Sequence, residues 1–519
     1  MSSTITLVAL QAGKRRRLIT YLVALGLVLT ALNVGGVLLI QHLWQGHDAS
    51  ENLPLSIALF VVLVAVMGSL YYAEAVLAEK LGLDYVKAVR QQLYATLMSA
   101  PQQQSPQRVG VAMTRLITDA NNIKNWASLG APVFITHGLS LVGYCILILV
   151  QWPHVGWLLL ALMAFALMAT ALLTAPMMRT ALTLRRDRGR LSGHIGEMII
   201  ANLSVQQAGR VNREAKRLGR HSDLLADSAV NYARLRSLLA VNPMLLQQLA
   251  LLVLAVSALG DGDHQAMLLL VLGLMFVSLT RIMQAWEHGV TYYAAKQRLE
   301  FAMRKVQPIP AEKSTKLTNQ PLSIKLRDLA LIPDSPLLKL SAAAGDRIIL
   351  SGLQCSGKSL LTLMLCRQAL PASGRIVLGG RRLEWLTAAS LHRAVQLVND
   401  DAQLMRGSIE SNLLYGNRHI DTAWFERICQ VLELEDLNQT VTELGSNLSS
   451  GLTQRILIAR ALLKKPGLLM VDRAGVDRDN PLQQAMLTLQ KEGGFTYLLT
   501  TRRKLNSKLK AQWDTVWEI

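Results

Sequence analysis

Six long apolar runs constrain this chain more than any other feature of its sequence. Each run is long enough to cross the roughly 30 Å hydrocarbon core of a membrane as an α-helix, which takes about 20 residues. A hydrophobic fraction of 51% and a charged fraction of 17% agree with a membrane-embedded region joined to a soluble one. The runs occupy residues 18–40 and about 55–77, 131–151, 156–176, 239–260 and 264–286.

The connections between the runs alternate in charge, which indicates a direction of insertion. Those after the first, third and fifth runs contain no lysine or arginine. The others are basic, with Lys80 and Arg90 in one and a dense group from Arg179 to Arg236 in the next. Because basic connections stay in the cytoplasm, we predict an integral protein of the plasma (inner) membrane with both termini cytoplasmic.

The two long basic connections, about 78–130 and 177–238, are too long for simple loops. Their helical periodicity and scarcity of chain-breaking residues predict that the membrane helices continue into the cytoplasm. The same placement accounts for the formal net charge of +19. Because no aromatic-basic reader motif accompanies this charge, nucleic-acid binding is not expected. The expected surroundings of the basic segments are cytoplasm and membrane lipid.

The texture of the sequence changes after a polar, proline-containing segment at 303–322, which its composition marks as a linker. Beyond it, short β-rich runs alternate with amphipathic helical segments, a pattern typical of a parallel α/β domain. We therefore predict a membrane domain over residues 1–302, the linker at 303–322, and a soluble α/β domain over 323–519.

The segment GLQCSGKS, from Gly352 to Ser359, lies between a short apolar strand at 348–350 and a helical run. In that context its glycines let backbone N–H groups surround phosphate oxygens, and the helix start adds positive potential. Lys358 is expected to reach the β- and γ-phosphates of ATP, and Ser359 to supply a hydroxyl to Mg²⁺. The candidate nucleotide contacts of this loop are Gly352, Cys355, Ser356, Gly357, Lys358 and Ser359.

Two further segments follow the phosphate loop, and their order bears on its function. LSSGLTQR, from Leu448 to Arg455, opens a helical run, and the apolar strand LLMVD at 468–472 then ends in Asp472. Taken alone, the second segment is an ordinary buried strand with an aspartate at its turn. Taken with the loop, Asp472 is a candidate for the Mg²⁺ shell.

With these motifs in this order, the chain resembles the exporter class of ABC half-transporters over nearly its full length. The resemblance implies a membrane all-α, six-helix exporter-type transmembrane domain joined to an α/β P-loop ABC nucleotide-binding domain. It implies Ser449 and Gly451 as signature residues, and Asp119, Glu197 and Glu443 as residues that couple the two domains. The first inner connection resembles the family's around Gly110, Arg115 and Asp119, the second around Glu197, and the stretch before the signature around Glu443.

Several positions depart from the family's pattern, and together the changes affect hydrolysis more than binding. Arg473 stands where the family has the glutamate that polarises water, and Thr501 where it has the switch histidine. Asp400 replaces the Q-loop glutamine, but it keeps a side-chain oxygen for Mg²⁺ and so is also a candidate nucleotide-binding residue. LSSGL replaces the signature LSGGQ, and Ile332 or Pro333 lies near the place of the adenine-stacking aromatic. What grips phosphate and metal is kept, while what activates water is lost.

The prediction is therefore a site that binds ATP and Mg²⁺ but hydrolyses ATP poorly. An arginine at position 473 cannot accept a proton, because its pKa stays above about 12. Since the family works as a head-to-tail dimer, we expect a partner half-transporter with intact catalytic residues. Ser449 and Gly451 would then complete the active site built on that partner.

Other interpretations stay open at this point. One is a slow homodimeric ATPase exporter that uses Asp477 or Asp479 as a substitute base, and another is a nucleotide-binding sensor or accessory subunit that does not transport. A decayed exporter is a third. Cargo classes from peptides to siderophores, lipid-linked and drug-like molecules fit equally. Polar residues in or beside the apolar runs, each a candidate for a pathway or for helix packing, are Asn33, His137, Gln247, Gln248, Gln284, Glu287 and His288.

Overall fold

The computed structural model describes most of the chain and divides it into two compact units. The first unit lies within residues 1–307, and the second is formed chiefly by Pro308–Ile519. This division falls inside the segment that the composition marks as a linker. The described residues are 6–45, 53–99, 101, 115–257, 262–305, 315–333, 335–353, 355–417, 420–472, 480–502 and 511–519.

The described part of the first unit is almost entirely helical, apart from residues 6–14 and short breaks between helices. Six helical segments in it are long and apolar enough to cross a membrane, in agreement with the six apolar runs. The helices are α1 (Arg15–Gln45), α2 (Leu53–Met98), α3 (Ala120–Asn125), α4 (Ala131–Gln151), α5 (Pro153–Ile200), α6 (Asn202–Gln207), α7 (Val211–Ser257) and α8 (Gly262–Lys305).

Three of these helices extend far beyond the membrane-length runs they contain. Helices α2, α5 and α7 have 46, 48 and 47 residues, about twice what a membrane crossing takes. Within the described residues, the basic connections therefore begin as helical continuations of the spans, as predicted. The third span begins earlier than its apolar run, because a π-helical turn at Arg115–Asp119 leads into α3 and a second one at Trp126–Gly130 joins α3 to α4.

Polar side chains within the spans are paired across neighbouring helices. Asn33 Nδ2 on α1 donates to Tyr71 Oη on α2 at 3.0 Å. The buried carboxylate of Glu74 on α2 accepts a hydrogen bond from Thr136 on α4. Such pairing is what a hydrocarbon environment requires, because unpartnered polar groups are costly there. Glu74 was not among the polar positions noted from the sequence.

The second unit is an α/β domain with two main sheets. One is antiparallel, in the order β2-β1-β4-β5, and the other is parallel, in the order β11-β3-β10-β9-β6. The antiparallel strands are β1 (Ile324–Ala330), β2 (Leu338–Ala342), β4 (Ser373–Leu378) and β5 (Arg381–Arg382), and the parallel strands are β3 (Arg347–Ser351), β6 (Val395–Asn399), β9 (Leu468–Asp472), β10 (Thr496–Thr501) and β11 (Thr515–Glu518). A short pair, β7 (Gly407–Ser408) and β8 (Thr440–Val441), forms a third sheet.

Helices connect the strands of this unit and cover its apolar core. They are α9 (Lys358–Leu365), α10 (Ala388–Ala394), α11 (Ile409–Leu414), α12 (Thr422–Val431), α13 (Ser450–Leu462) and α14 (Asn480–Gly493). Helix α9 is shorter than the helical run that follows the phosphate loop in the sequence. It stops because Arg367 adopts a left-handed φ of 56°, and its N–H turns back to the carbonyl of Met364.

Candidate functional site

The carboxyl ends of the parallel strands bring the predicted nucleotide residues to one edge of the sheet. Strand β3 ends at Ser351, directly before the phosphate loop, and the neighbouring strand β10 ends at Thr501, with Thr501 opposite Ser351. Strand β9 ends at Asp472, which stands opposite Asn399 of β6. Ligands of open α/β sheets bind at this edge, so the fold places the candidate residues where a nucleotide site is expected.

The phosphate loop depends on two glycines for its shape. A Cβ on Gly352 would lie 2.1 Å from the backbone oxygen of Ile519 and 2.6 Å from Ser356 Oγ. Gly357, at the N-cap of α9, has a φ of 96°, which glycine adopts without strain. A Cβ there would lie 2.5 Å from Leu331 Cδ1. Both positions exclude a side chain, and so the loop backbone can curl tightly at the start of the helix.

Lys358 is held over this loop by three hydrogen bonds. Its Nζ donates to the carbonyl oxygens of Gly352 at 2.8 Å and Leu353 at 2.7 Å, and to Ser356 Oγ at 3.3 Å. The lysine is buried, and burial together with the charge of Arg502 lowers the pKa of its ammonium group. Arg502 thus places a second cation near the phosphate site, a feature that the sequence motifs did not single out.

Asp472 is bonded by two threonines that sequence reasoning also missed. Thr500 Oγ1 on β10 donates to Asp472 Oδ1 at 2.6 Å, and Thr362 Oγ1 on α9 contacts Oδ2 at 3.5 Å. With the exposed hydroxyl of Ser359, this carboxylate forms a set of hard oxygen donors of the kind that Mg²⁺ prefers. The only sequence signal for this arrangement was the Thr500-Thr501 pair at the end of β10.

The positions that depart from the family's pattern lie around the same edge. Asp400 is exposed directly after β6, and Thr501 is buried at the end of β10. Ile332 is 56% exposed and follows Leu331, whose methyl group packs beside Gly357. An aliphatic surface therefore stands near the place of the missing aromatic. Gly110, Arg473, Asp477 and Asp479 lie outside the described residues.

The predicted signature residues Ser449 and Gly451 lie at the start of helix α13 and are exposed. Ser449 is the N-cap, and its Oγ accepts a hydrogen bond of 3.2 Å from the N–H of Leu452. A Cβ on Gly451 would meet no atom within 4 Å. Nothing in the described part of the chain therefore requires glycine at position 451.

The three predicted coupling residues have different surroundings. Asp119 is buried in the first unit, where its Oδ1 pairs with Arg185 Nη1 at 2.8 Å and its Oδ2 lies 3.8 Å from Arg298 Nη1. Glu197 is exposed near the end of α5, and Glu443 is exposed in a short 3₁₀ turn of the second unit. The coupling role of these residues remains a prediction.

Several of the polar residues predicted in or beside the spans also have partners. Glu287 Oε2 on α8 accepts a hydrogen bond of 2.8 Å from Arg236 Nε on α7. Gln248 is exposed and Gln247 only half-buried, so the two neighbours point in different directions. The bond between Glu287 and Arg236 joins two helices of the first unit. Helix packing therefore explains part of the polar set, and this part does not require a cargo pathway.

Family comparisons agree with this architecture. The family described as "ABC transporter transmembrane region" matches residues 18–283, slightly more than half of the chain. The chain belongs to the ABC transporter family. A second family, described as "ABC transporter", matches residues 337–475, which contain the phosphate loop, Ser449 and Asp472.

Individual ABC transporters resemble parts of the chain. It is 29% identical over 198 residues to the colicin V secretion/processing ATP-binding protein of Escherichia coli, covering 36% of this chain and 28% of that one. It is 32% identical over 163 residues to the human mitochondrial iron-sulfur clusters transporter, covering 30% and 22%. A lipid A-core flippase of Ralstonia nicotianae is 34% identical over 179 residues, covering 32% and 30%. The chain thus spans less than a third of each relative's length in these matches.

One solved ABC transporter structure resembles almost the whole chain. The structure of a bacterial Atm1-family ABC exporter with ATP bound superposes with a TM-score of 0.84 at 20% identity. The superposition covers 97% of this chain and 93% of the exporter. The chain therefore has the fold of an ABC exporter half, with a six-helix membrane region and an α/β nucleotide-binding domain.

Proposed function

We propose that this ABC protein is one half of an ATP-driven exporter dimer whose own nucleotide site binds ATP and hydrolyses it poorly. The observation that carries the proposal is the arrangement of Lys358, Ser359 and Asp472 at one sheet edge. The residue directly after Asp472 is Arg473, where the family has its catalytic glutamate. Loop N–H groups, the Lys358 ammonium and the Ser359 hydroxyl would hold the phosphates. A bound Mg²⁺ would neutralise charge on the phosphate oxygens.

The same site has no evident means of activating water at the family's usual positions. Arg473 keeps its proton at any physiological pH, and the hydroxyl of Thr501 replaces an imidazole. Losing a positioned general base typically costs about 10²–10⁴ in rate. The function best supported at this site is therefore nucleotide binding that holds the dimer together, with hydrolysis supplied elsewhere.

The partner that fits this chemistry is a different ABC half-transporter with an intact glutamate and histidine. In the head-to-tail arrangement of the family, the Ser449 and Gly451 end of α13 would face the partner's ATP. Both residues are exposed, and Gly451 has open space beside it. Those two features support a contact made with another chain, in the plasma membrane and with both nucleotide-binding domains in the cytoplasm.

The test uses the purified full-length chain in lipid nanodiscs. A fluorescent ATP analogue (mant-ATP) with Mg²⁺ measures binding, and phosphate release measures hydrolysis. We expect saturable binding with turnover at most about one hundredth of an ordinary exporter's. Lys358→Ala should abolish the binding, whereas Lys339→Ala, at a side chain that is 75% exposed on β2, should leave it unchanged.

A gain-of-function variant separates a silent site from a slow one. Arg473→Glu with Thr501→His restores both family residues, and we expect it to raise turnover at least about tenfold over the parent chain. Ordinary exporter turnover by the unmodified chain alone, abolished by Lys358→Ala, would show an active homodimer and refute the silent site. Absence of mant-ATP binding would refute the proposal as a whole.

A further inference from the structure

The first unit contains an apolar pocket that the nucleotide chemistry does not use. Its volume is about 390 Å³, within the range of pockets that hold small molecules. It lies where three apolar runs end, since it draws on the start of α4, the middle of α5 and the middle of α8. Its lining residues are Trp126, Phe134, Thr174, Met178, Trp286, Gly289, Val290, Tyr292 and Tyr293.

Aromatic rings form most of the wall and are arranged in a connected series. Trp126 stacks on Tyr292 with ring centroids 5.7 Å apart and planes 22° apart. Phe134 lies 6.1 Å from Trp126 and 6.0 Å from Trp286, tilted against both. Aromatic residues make up only 5% of the whole chain. Five of them at one pocket therefore mark a local concentration, which presents ring faces and edges at several angles.

Two glycines make room for the central indole. A Cβ on Gly130 would lie 2.2 Å from Trp126 Cε3, and one on Gly289 would lie 3.0 Å from Trp126 Cζ3. The indole begins the π-helical turn Trp126–Gly130, a kind of helix irregularity that often occurs at functional sites. The position of this ring therefore depends on the backbone around it as well as on side-chain packing.

The pocket offers almost no polar group to a ligand. Trp286 Nε1 donates to Thr174 Oγ1 at 3.0 Å, and that hydroxyl donates in turn to the Thr170 carbonyl at 2.8 Å. Both polar side chains of the inner wall are thus satisfied within the protein. None of the nine lining residues is charged, and besides Thr174 the hydroxyls of the lining belong to Tyr292 and to Tyr293, which is 49% exposed. An ionic or strongly polar ligand would lose its hydration there without compensation.

We infer that this pocket binds a flat, uncharged aromatic molecule, which packs against the aromatic wall. If the proposed export function holds, on which this step rests, that class of molecule is the cargo or its recognised part. A lipid acyl chain is also apolar. However, the wall consists of planar rings set at several angles to one another. Such a wall favours contact with a compact ring system over contact with an extended chain.

The probe is N-phenyl-1-naphthylamine, a neutral fluorescent aromatic, titrated into nanodiscs that carry the full-length chain. Equilibrium dialysis against empty discs isolates the saturable component. We expect about one equivalent per chain, with affinity reduced about tenfold or more by Trp286→Leu, which removes a wall, and by Met178→Trp, which fills the space. The matched controls are Trp157→Leu and Met168→Trp on α5, at side chains that are 69% and 55% exposed. These two should bind the probe as the parent chain does.

Three outcomes would overturn the inference. The first is no saturable binding above empty discs, and the second is an equal loss of affinity in the control variants. The third is displacement of the probe by hexadecane as effectively as by unlabelled naphthalene, which would identify an acyl-chain site. Mant-ATP binding on the same samples reports folding and separates the proposals. A parent chain that binds mant-ATP but not the probe refutes this inference alone, and a parent chain that binds the probe but not mant-ATP refutes only the proposed function.

Discussion

Thr500 Oγ1 donates a hydrogen bond of 2.6 Å to Asp472 Oδ1, so the predicted metal-binding carboxylate is fixed by a neighbouring strand. The parallel register that pairs Leu499 with Val471 brings the two following residues side by side. Thr500 is buried, and its hydroxyl has a defined direction there. The orientation of Asp472 toward the phosphate loop therefore depends on β10 as well as on its own strand.

Removing that hydroxyl should weaken the response of nucleotide binding to Mg²⁺. Thr500→Val keeps the shape of the side chain but leaves Asp472 Oδ1 without its donor. Outer-shell partners of this kind typically contribute about 10–100-fold to metal affinity. We expect the Mg²⁺ concentration for half-maximal mant-ATP binding to rise about tenfold or more, and to stay near the parent value in Thr500→Ser. An unchanged Mg²⁺ dependence in the valine variant would reduce Thr500 to a packing role.

The lowered pKa of Lys358 predicts a pH dependence of nucleotide binding. Burial and the charge of Arg502 both depress this pKa below its ordinary value of 10.5. The protonated ammonium binds phosphate, and the fraction in that form falls as pH rises through the pKa. Affinity for mant-ATP should therefore begin to decline at an alkaline pH lower than an isolated lysine would give.

Arg502→Gln tests the cause of that shift. Removing the neighbouring charge raises the pKa of Lys358, so the alkaline decline should move to higher pH. Affinity near pH 7 should fall modestly, because one attractive charge is lost. Arg375→Gln, at an exposed position on β4 in the other main sheet, is the matched control and should leave the profile in place. A profile identical in all three proteins would mean that burial, and not the charge of Arg502, lowers the pKa of Lys358.

Gly451→Ala separates contacts within the chain from contacts with a partner. The new methyl group meets no atom within 4 Å, and alanine favours a helical position by up to about 1 kcal/mol over glycine. The isolated chain should therefore keep or slightly raise its thermal unfolding midpoint. ATP-dependent dimer formation with the intact half-transporter, followed by cross-linking, should nevertheless be lost.

The position of Gly374 provides the opposite case. It has a φ of 91°, and a Cβ there would lie 2.2 Å from the backbone oxygen of Asp328, so Gly374→Ala should lower the unfolding midpoint by itself. If Gly451→Ala also lowers the midpoint, its effect comes from the fold. If it leaves dimer formation intact, the signature helix does not approach the partner's nucleotide.

The sequence predicts well those features that are determined by residues close together in the chain. The membrane spans follow from apolar runs whose backbone groups must be satisfied within a helix. The phosphate loop is equally local, because Gly352 and Gly357 serve the backbone of one turn. The bond between Thr500 and Asp472 joins residues 28 apart along the chain. It exists only because β10 and β9 are neighbours, and no motif encodes that register.

The aromatic pocket escaped sequence reasoning for the same reason. Trp126 and Trp286 lie in different helices, and they approach one another only after the spans have packed. Helix ends were also difficult to predict, since α9 stops at a left-handed residue in an apparently helical run. Long-range packing, rather than local propensity, determines these features.

The buried pair of Arg185 and Asp119 is a long-range contact in the first unit, and it yields a stability prediction. Arg185 Nη1 meets Asp119 Oδ1 at 2.8 Å, and Nη2 donates to the Thr291 carbonyl at 2.8 Å. Both side chains are less than one-tenth exposed. Removing Arg185 leaves the buried Asp119 carboxylate with only the longer 3.8 Å contact to Arg298, and breaking a buried ion pair costs up to about 3–5 kcal/mol. Arg185→Leu should therefore lower the thermal unfolding midpoint in nanodiscs by several degrees.

A matched arginine on the same helix distinguishes this effect from a general loss of charge. Arg190 is 61% exposed and lies 3.5 Å from Asp187, so Arg190→Leu should change the midpoint little, as surface ion pairs contribute about 0–1 kcal/mol. Combining Arg185→Leu with Asp119→Leu removes both members of the pair, and the double variant should lose less stability than the two single variants add up to. Strict additivity would mean that the two side chains contribute separately, and Asp119 would then be free to act as the coupling residue that its sequence context suggests.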